Sequence, residues 1–530
     1  MHRILIQTAC YNVVDGVTTT IRKIEKHLLD HYPDYHVCII TTNSGDEANL
    51  NLVPPHPRRS IIYMNAFPLP VMAECGYEIG KTLSDENKRQ IAKFNPSVIH
   101  VTVPDLVNLE ILDYAKEHNI PLMATWHSNY IEYMDYYEAQ WIKQILLQWM
   151  RHTYSFVPRL LVPTKFIKES LSNEYYQLDK CTKIGIWGRG VDTNKFSPSF
   201  RTEAARAVLG FKPTDVVVLF VGRLVKEKHC DIYIDVMNQL SSQRSNVRGL
   251  VVGEGEYKKR MGAIPNTKTT GWLKDDSLST AYAICDVFLF PSGSETFGNV
   301  TLEACASGLP IVVEEGCSSH LVSSEFPNGF TVKRNDKKRF YEVTLELCDD
   351  KQMRQRYGEN SRKFIQTKYE CQDVIDEMRK IYEEEEAIGA YINSCEDDNE
   401  ANFPWGRVPV PFVLWCMEWF FWIFVRGTVW VVWSLLFFRT RLGRLLSFYG
   451  RNRTDEEKSR SKSSSSNSSS SSGSDGDTKT TSNKVLDKLC SAGTEVAIFV
   501  GGIFGTLFTT FILTFLMRKK ANGSSNSKNK

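Results

Sequence analysis

The chain has 530 residues and a net charge of +2, so it is too long for one hydrophobic core and lacks the basic excess of a nucleic-acid-binding protein. Its 13 cysteines include no Cys-x-x-Cys pair, which favours reduced thiols in a cytosolic setting over a disulfide framework. The first residues enter a predicted strand directly, which predicts neither a signal peptide nor a transit peptide.

The first part of the chain alternates short apolar strands with helical segments, an order typical of a parallel sheet with helices on both faces. The predicted strands cover residues 3–9, 36–42, 98–103, 122–126 and 160–163. Gly16 stands where the first strand passes into the first helix, and it either lets the backbone approach a ligand or is a simple turn glycine. His127 ends the strand 122–126, a position suited to ligand contact, although a lone histidine is more often structural.

A second alternating series predicts a second Rossmann-like domain. Its strands cover residues 216–222, 249–253, 286–290 and 311–313. The turn-rich segment 190–198 joins the two series, so we place one domain at 1–192 and the other at 193–395. Two such domains face each other across a cleft, which is the usual place for a binding site.

Basic side chains follow the first strand of the second domain. Gly222 ends this strand, Arg223 supplies a planar fork of donors, and Lys228 supplies a point charge. Both cations suit a bound diphosphate whose negative charge grows as it departs as a leaving group. The alternative interpretation of these residues is a solvated basic loop without a ligand. Glu254 follows the next strand in a Gly-Glu-Gly segment that also fits a tight turn.

The segment 286–310 combines a buried strand, a glycine-containing loop and a helix beginning at Gly298. Free backbone N–H groups and the helix dipole at such a turn attract anions. Glu295 is predicted to lie in the loop and Glu303 more than one turn into the helix, where their carboxylates would accept hydrogen bonds from the hydroxyls of a ribose or a sugar. The alternative is an ordinary strand–helix unit with two solvated glutamates.

The last part of the chain predicts membrane attachment. Residues 403–445 are apolar and rich in tryptophan with a basic flank, and they either span once or enter the bilayer as a hairpin. The serine-rich segment 446–490 predicts a disordered linker. Residues 496–517 predict a transmembrane helix, in which Gly501 and Gly505 suit a homodimer contact.

Together these motifs resemble family 4 of the glycosyltransferases, which has the GT-B fold of two Rossmann-like domains facing a cleft. The resemblance covers roughly residues 3–385. It rests on motifs that arrive in order: Asp15-Gly-Val17, His127, Gly190-Val-Asp192, Gly222-Arg223 with Lys228, Gly253-Glu-Gly255 and Glu295-x₇-Glu303. The likeness is strongest to lipid-directed members, namely sulfoquinovosyltransferases and mannosyltransferases acting on diacylglycerol or phosphatidylinositol.

The resemblance implies a role for each matching residue. Arg223 and Lys228 would bind the donor diphosphate, Glu295 would contact the transferred sugar, and His127 would meet it near the reacting carbon. The remaining positions implied in donor binding are Gly16, Gly222, Glu254, Phe297, Gly298, Asn299 and Glu303. Asp15 departs from the Gly-Gly of many relatives, which leaves its role open.

The family retains the anomeric configuration and needs no metal, so we expect no cofactor besides the nucleotide-sugar substrate. We expect the donor to be a UDP-sugar or GDP-mannose and the acceptor to be a membrane lipid such as diacylglycerol or a glycolipid. The catalytic part should face the cytosol from an endomembrane such as the endoplasmic reticulum. The alternatives are a tethered enzyme with a protein, glycan or small-molecule acceptor, and a non-enzymatic scaffold.

Overall fold

A computed structural model describes most of the first 390 residues. The described residues are 1–9, 11, 16–42, 55–68, 78–103, 105, 107–129, 131–132, 140–173, 176–180, 182–316 and 318–390. Within them the chain forms two sheets that are flanked by helices and belong to one compact unit.

The first sheet has eight strands. They are β1 (His2–Gln7), β2 (Tyr35–Thr42), β3 (Arg59–Pro68), β4 (Glu78–Thr82), β5 (Val98–Val101), β6 (Leu122–Thr125), β7 (Arg159–Val162) and β8 (Lys183–Ile186). Their spatial order is β4-β3-β2-β1-β5-β6-β7-β8, and only the β3–β4 pair is antiparallel.

The second sheet has six parallel strands. They are β9 (Val216–Val221), β10 (Val247–Val252), β11 (Thr267–Gly271), β12 (Val287–Phe290), β13 (Ile311–Glu314) and β14 (Gly329–Val332), in the order β11-β10-β9-β12-β13-β14. Every residue of β9 and β12 is buried, because helices cover both faces of the sheet and continuous apolar runs can be buried there.

The helices of the described residues connect these strands. They are α1 (Gly16–His31), α2 (Asp85–Phe94), α3 (Asn108–Glu117), α4 (Gln140–Ser155), α5 (Lys165–Leu171), α6 (Glu203–Val208), α7 (Cys230–Gln243), α8 (Lys258–Gly262), α9 (Asp275–Ala283), α10 (Asn299–Ala306), α11 (Lys337–Asp349), α12 (Lys351–Lys368) and α13 (Cys371–Ile388).

The final helix, α13, returns from the second sheet to pack on the first. Asp376 of this helix accepts hydrogen bonds from Tyr32 (2.6 Å) and from the ring of His27 (3.1 Å). Just before α13 the returning chain pairs with the outgoing one, since Val191 N donates to Tyr369 O (3.0 Å) and Cys371 N donates to Val191 O (3.1 Å). The two passages of the chain between the sheets therefore lie side by side.

The nine predicted strands all exist, with ends that differ by at most two residues. The sequence prediction missed β3, β4, β8, β11 and β14, most of which lie at or near sheet edges and are short or polar. The predicted helix at 298–306 begins one residue later, at Asn299, because Gly298 takes a left-handed conformation (φ 94°) and caps it.

The membrane predictions fall outside this description. None of the helices in the described part of the chain is both long enough and apolar enough to cross a bilayer. The predicted membrane segment 403–445, the linker 446–490 and the helix 496–517 with its homodimer contact all lie outside the described residues.

Candidate active site

The candidate site lies where the order of strands in the second sheet reverses. From β9 the chain first builds outward to β10 and then returns to place β12 on the other side of β9. The loops that follow β9 and β12 consequently diverge around a crevice at the carboxyl ends of the strands, which is where open α/β sheets bind ligands. The loop after β9 carries Arg223 and Lys228, and the loop after β12 carries Glu295.

Lys228 and Glu295 form an ion pair across this crevice. Lys228 Nζ lies 2.5 Å from Glu295 Oε1, and only 8% of the lysine is exposed. The hydroxyl of Ser292 donates a second hydrogen bond to the same carboxylate oxygen (3.0 Å). The pair therefore fixes an ammonium group at the edge of the crevice, and the structure brings these two predicted site residues together.

Arg223 is held beside this pair by a buried carboxylate. Its Nη2 lies 3.0 Å from Oε1 of Glu227, which is 1% exposed, while the arginine side chain itself remains 35% exposed. The hydroxyl of Ser294 donates to the backbone carbonyl of Glu227 (3.0 Å) and ties the two loops together. The guanidinium group of Arg223 is thus anchored at Nη2, and about a third of the side chain remains exposed.

The N-termini of two helices meet at the same crevice. Gly298 caps α10 without a side-chain bond, so the first backbone N–H groups of α10 have no capping side chain. A Cβ at Gly298 would lie 2.3 Å from the hydroxyl oxygen of Ser318, which excludes other residues there. Across the crevice, Gly16 begins α1, and a Cβ on it would lie 3.6 Å from Nδ2 of Asn299. Both helix dipoles therefore favour negative charge here.

Glu303 lies farther along α10 and faces a narrow cavity between the two sheets. Its Oε2 accepts a hydrogen bond from the hydroxyl of Tyr282 (2.9 Å). Burial raises the pKa of Glu303, and the nearby ammonium group of Lys23 on α1 opposes that rise. Lys23 and Arg189 line the cavity from the side of the first sheet. The arrangement keeps a hydrogen-bond acceptor in reach of a ligand hydroxyl.

His127 follows β6 and has both ring nitrogens occupied. Its Nε2 lies 2.7 Å from Oγ1 of Thr125, and its Nδ1 lies 3.1 Å from Nη2 of Arg189. Burial, the charge of Arg189 and the neighbouring His100 lower the pKa of His127 well below its usual value. Its backbone carbonyl accepts a hydrogen bond from the hydroxyl of Thr296 (2.9 Å), the residue after Glu295. His127 therefore borders the loop after β12, which carries Glu295 and Thr296 and is called the donor loop below, as a neutral imidazole.

Gly222, Glu254 and Phe297 have structural contacts of their own. The Glu254 carboxylate pairs with Lys258 (2.6 Å), away from the contacts of Lys228. The ring of Phe297 is 3% exposed and packs edge-on against His320 at 4.6 Å between centroids, so it anchors the donor loop. Gly222 has φ 153°, and its carbonyl oxygen would lie 1.9 Å from a Cβ on Gly253.

Sequence reasoning missed the partners that hold these side chains. The missed residues are Lys23, Thr125, Arg189, Glu227, Tyr282, Ser292, Ser294 and Thr296. Arg189 stands beside the Gly190-Val-Asp192 motif and Thr296 beside Glu295, so their positions in the sequence carried some signal. The described residues contain no group of three or more His, Cys, Asp or Glu side chains arranged to hold a metal ion.

Two family models match consecutive parts of the chain. The model named Glycosyltransferase Family 4 matches residues 14–195, and the model named Glycosyl transferases group 1 matches residues 201–364. These ranges contain every strand of the two sheets described above except β1, which ends before residue 14.

Curated relatives and solved structures agree with these models. The sulfoquinovosyl transferase SQD2 of Arabidopsis thaliana is 28% identical over 60% of this chain, which spans 62% of that relative. A GDP-mannose-dependent alpha-mannosyltransferase of Mycobacterium tuberculosis is 29% identical over 57% of this chain and 76% of its own length. The alpha-monoglucosyldiacylglycerol synthase of Acholeplasma laidlawii is 24% identical over 47% of this chain and 66% of its own length.

Two solved structures share the fold at low sequence identity. The sucrose-phosphate synthase of Thermosynechococcus elongatus has a TM-score of 0.60 and 18% identity, covering 73% of this chain and all of that one. Anabaena HepE, solved in complex with UDP-glucose, has a TM-score of 0.55 and 16% identity over 72% of this chain and 99% of its own. The chain therefore has the GT-B fold, matches glycosyltransferase family models over both of its halves, and resembles the lipid-directed members of family 4.

Proposed function

We propose that this protein transfers a sugar, with retention of configuration, from a UDP-sugar or GDP-mannose to a membrane lipid such as diacylglycerol or a glycolipid. The observation that carries this proposal is the convergence of Arg223, the Lys228–Glu295 pair and the N-terminus of α10 on one crevice. Positive charge gathers there where the diphosphate would lie, and the resemblance to family 4 implies a reaction that needs no metal.

The chemistry follows from where charge develops. As the bond between the anomeric carbon and the diphosphate oxygen breaks, negative charge grows on the diphosphate and positive charge grows on the sugar. Arg223, Lys228 and the helix N-terminus stabilise the departing diphosphate, because preorganised donors need no rearrangement during the reaction. The acceptor hydroxyl oxygen bonds to the anomeric carbon, and its proton passes to the departing phosphate.

The donor would occupy the crevice in a definite direction. Glu303 accepts hydrogen bonds from the ribose, since its carboxylate lies along α10 beyond the diphosphate site. Glu295 accepts hydrogen bonds from the sugar hydroxyls, and its ion pair with Lys228 keeps the ammonium group directed at the diphosphate. His127, joined to the donor loop through Thr296, borders the sugar on the side of the first sheet.

The named relatives support a lipid acceptor. One is a synthase of monoglucosyldiacylglycerol and another is a sulfoquinovosyl transferase, and this chain carries apolar segments beyond residue 402 that suit attachment to a membrane. We also propose that the catalytic part faces the cytosol from an endomembrane such as the endoplasmic reticulum, since its donor would be a nucleotide sugar. A protein, glycan or small-molecule acceptor remains the alternative outcome of the experiment that follows.

The test uses membranes that contain the full chain, incubated with radiolabelled UDP-sugars and GDP-mannose. We expect label in the organic-solvent extract, unchanged by EDTA, and a product whose anomeric NMR coupling matches that of the donor. Label in protein or water-soluble glycan would replace the lipid acceptor with the alternative. Neither transfer nor donor hydrolysis with any donor would contradict the enzymatic proposal, and restoration by Mg²⁺ or Mn²⁺ after EDTA would contradict metal independence.

A further inference from the structure

Arg189 is a buried cation that forms no ion pair with a carboxylate in the described part of the chain. It is 6% exposed, and no Asp or Glu of the described residues forms an ion pair with it. By contrast, the equally buried Arg206 pairs with Asp286 at 3.2 Å. A buried charge without a counter-ion costs free energy, so the fold must have another use for this guanidinium group.

The guanidinium group bonds to three carbonyls and one imidazole. Its Nη1 donates to the carbonyls of Gly188 (3.1 Å) and Trp187 (3.4 Å), and its Nη2 donates to the carbonyl of Trp126 (3.2 Å) and to Nδ1 of His127 (3.1 Å). All four terminal N–H groups are used. A lysine has only three donors on a single atom and cannot reproduce this pattern.

The contact with Arg189 fixes the chemical form of His127. Because a guanidinium only donates, Nδ1 must accept, and the neutral ring then carries its hydrogen on Nε2. That hydrogen points to Oγ1 of Thr125 at 2.7 Å. Thr125 in turn lies 2.8 Å from Nε2 of His100, a fully buried residue of β5, so the far side of the ring is held as well.

Arg189 also controls the backbone around His127. Arg189 donates a hydrogen bond to the carbonyl of Trp126, the residue before His127. The carbonyl of His127 accepts a hydrogen bond from the hydroxyl of Thr296 in the donor loop. The end of β6, the segment after β8 and the loop after β12 are therefore linked in one hydrogen-bonded line. A displacement of Arg189 would therefore disturb His127, whose carbonyl contacts Thr296 of the donor loop.

We propose that Arg189 is a positioning residue for glycosyl transfer, holding His127 neutral, in one tautomer and in one orientation against the donor loop. The proposal rests on the glycosyl transfer proposed above. Burial is the largest cause that lowers the pKa of His127, and the charged or titratable groups Arg189 and His100 lower it further. The hydroxyl groups that meet it, from Thr125 and Thr296, carry no charge.

The first measurement does not depend on activity. Diethyl pyrocarbonate modifies neutral imidazole nitrogens, and the rate at His127 is followed in the full chain by peptide mass spectrometry. In Arg189→Met, Nδ1 loses its donor and the ring is released, so we expect the rate to rise about tenfold, the equivalent of one good hydrogen bond. Arg189→Lys keeps the charge but not the fork, and it should give an intermediate rate.

A matched control comes from Arg362, a partly buried arginine that, like Arg189, donates hydrogen bonds to backbone carbonyls. Its Nη1 donates to Phe196 O and Ala306 O, both at 2.6 Å, and it shares no contact with His127. Arg362→Met should leave the modification rate at His127 unchanged. Equal rates in the wild type, Arg189→Met and Arg189→Lys would overturn the proposal.

The second measurement is the pH profile of kcat/KM for the donor. Burial keeps the pKa of His127 low in every variant, but the loss of the Arg189 charge raises this pKa, so the activity of Arg189→Met relative to the wild type should fall as the pH is lowered from 7.5 to 5.5. A purely structural role would lower activity by the same factor at every pH, and that result would overturn the proposal. Should the wild type transfer no sugar, the proposed function fails, and the modification rates alone decide the role of Arg189.

Discussion

Replacement of Lys228 by methionine is the most direct test of the site. Methionine keeps much of the buried aliphatic volume but removes the ammonium group that lies 2.5 Å from Glu295. The loss of one preorganised donor to the leaving group costs about 2.7–4 kcal/mol of transition-state stabilisation, so kcat should fall by about 10²–10³-fold. Lys228→Arg keeps a cation and should fall less.

The chain supplies a control two residues away. Lys226 belongs to the same short 3₁₀ helix, Lys226–Lys228, but its side chain is exposed, so Lys226→Met removes the same charge from the same loop. We expect its kcat to match the wild type in the labelled-donor assay. The comparison therefore separates a contact with the departing diphosphate from a general electrostatic effect of the loop.

The pair with Glu295 makes a double-mutant cycle informative. Because Lys228 and Glu295 act as one unit, Glu295→Gln combined with Lys228→Met should cost much less than the sum of the two single changes. Thermal unfolding of each variant shows whether the fold survives. Wild-type turnover in a folded Lys228→Met variant, or equal losses in the Lys226 and Lys228 variants, would refute the assignment.

Three further results follow from the contacts described above. Thr296→Val removes the hydroxyl that joins the donor loop to the carbonyl of His127, so the donor KM should rise about two- to tenfold, and an unchanged KM would speak against this link. Tyr282→Phe removes the donor to the carboxylate of Glu303, so the KM for the nucleotide sugar should also rise by a few-fold. Tyr341→Phe removes a hydroxyl whose hydrogen bond to Gln243 is exposed, and it should leave this KM unaltered. Burial lowers the pKa of His100 to about 3, below its unfolded value of about 6.5, so the folded state loses stability as pH falls below 6.5, by about 2 kcal/mol at pH 5. Thermal midpoints at pH 8 and pH 5 should therefore differ less in His100→Asn than in the wild type, and an equal difference would contradict this effect.

Much of the fold was accessible from the sequence because central parallel strands are buried on both faces. β9 and β12 read as continuous apolar runs, and the turns that follow them carry glycine and charged residues. Edge strands have no such signature. β11 and β14 include partly exposed positions, and their pairing depends on neighbours that the local sequence does not specify. The order of strands in each sheet likewise required the structure.

The candidate site was predictable where its residues share a turn and unpredictable where they meet across the fold. Glu295 and Glu303 flank a single strand–helix turn, so their spacing carries information. Tyr282 reaches Glu303 from 21 residues away, and Arg189 reaches His127 from 62 residues away, through the packing of separate elements. No local pattern encodes such pairs, which is why the residues that position the site appeared only in three dimensions.

The paired passages of the chain near Val191 and Glu370 constrain how the enzyme can move. A molecule whose halves are joined at two distant points resists bending, whereas two joints set next to each other act as a single pivot. Val191 exchanges backbone hydrogen bonds with Tyr369 and Cys371, so the peptide torsions able to absorb a rotation are concentrated in this short stretch. We therefore expect the two sheets to rotate relative to each other about this stretch when substrate enters and product leaves. The hydrogen bonds of Asp376 on α13 with His27 and Tyr32 should stay intact during that rotation.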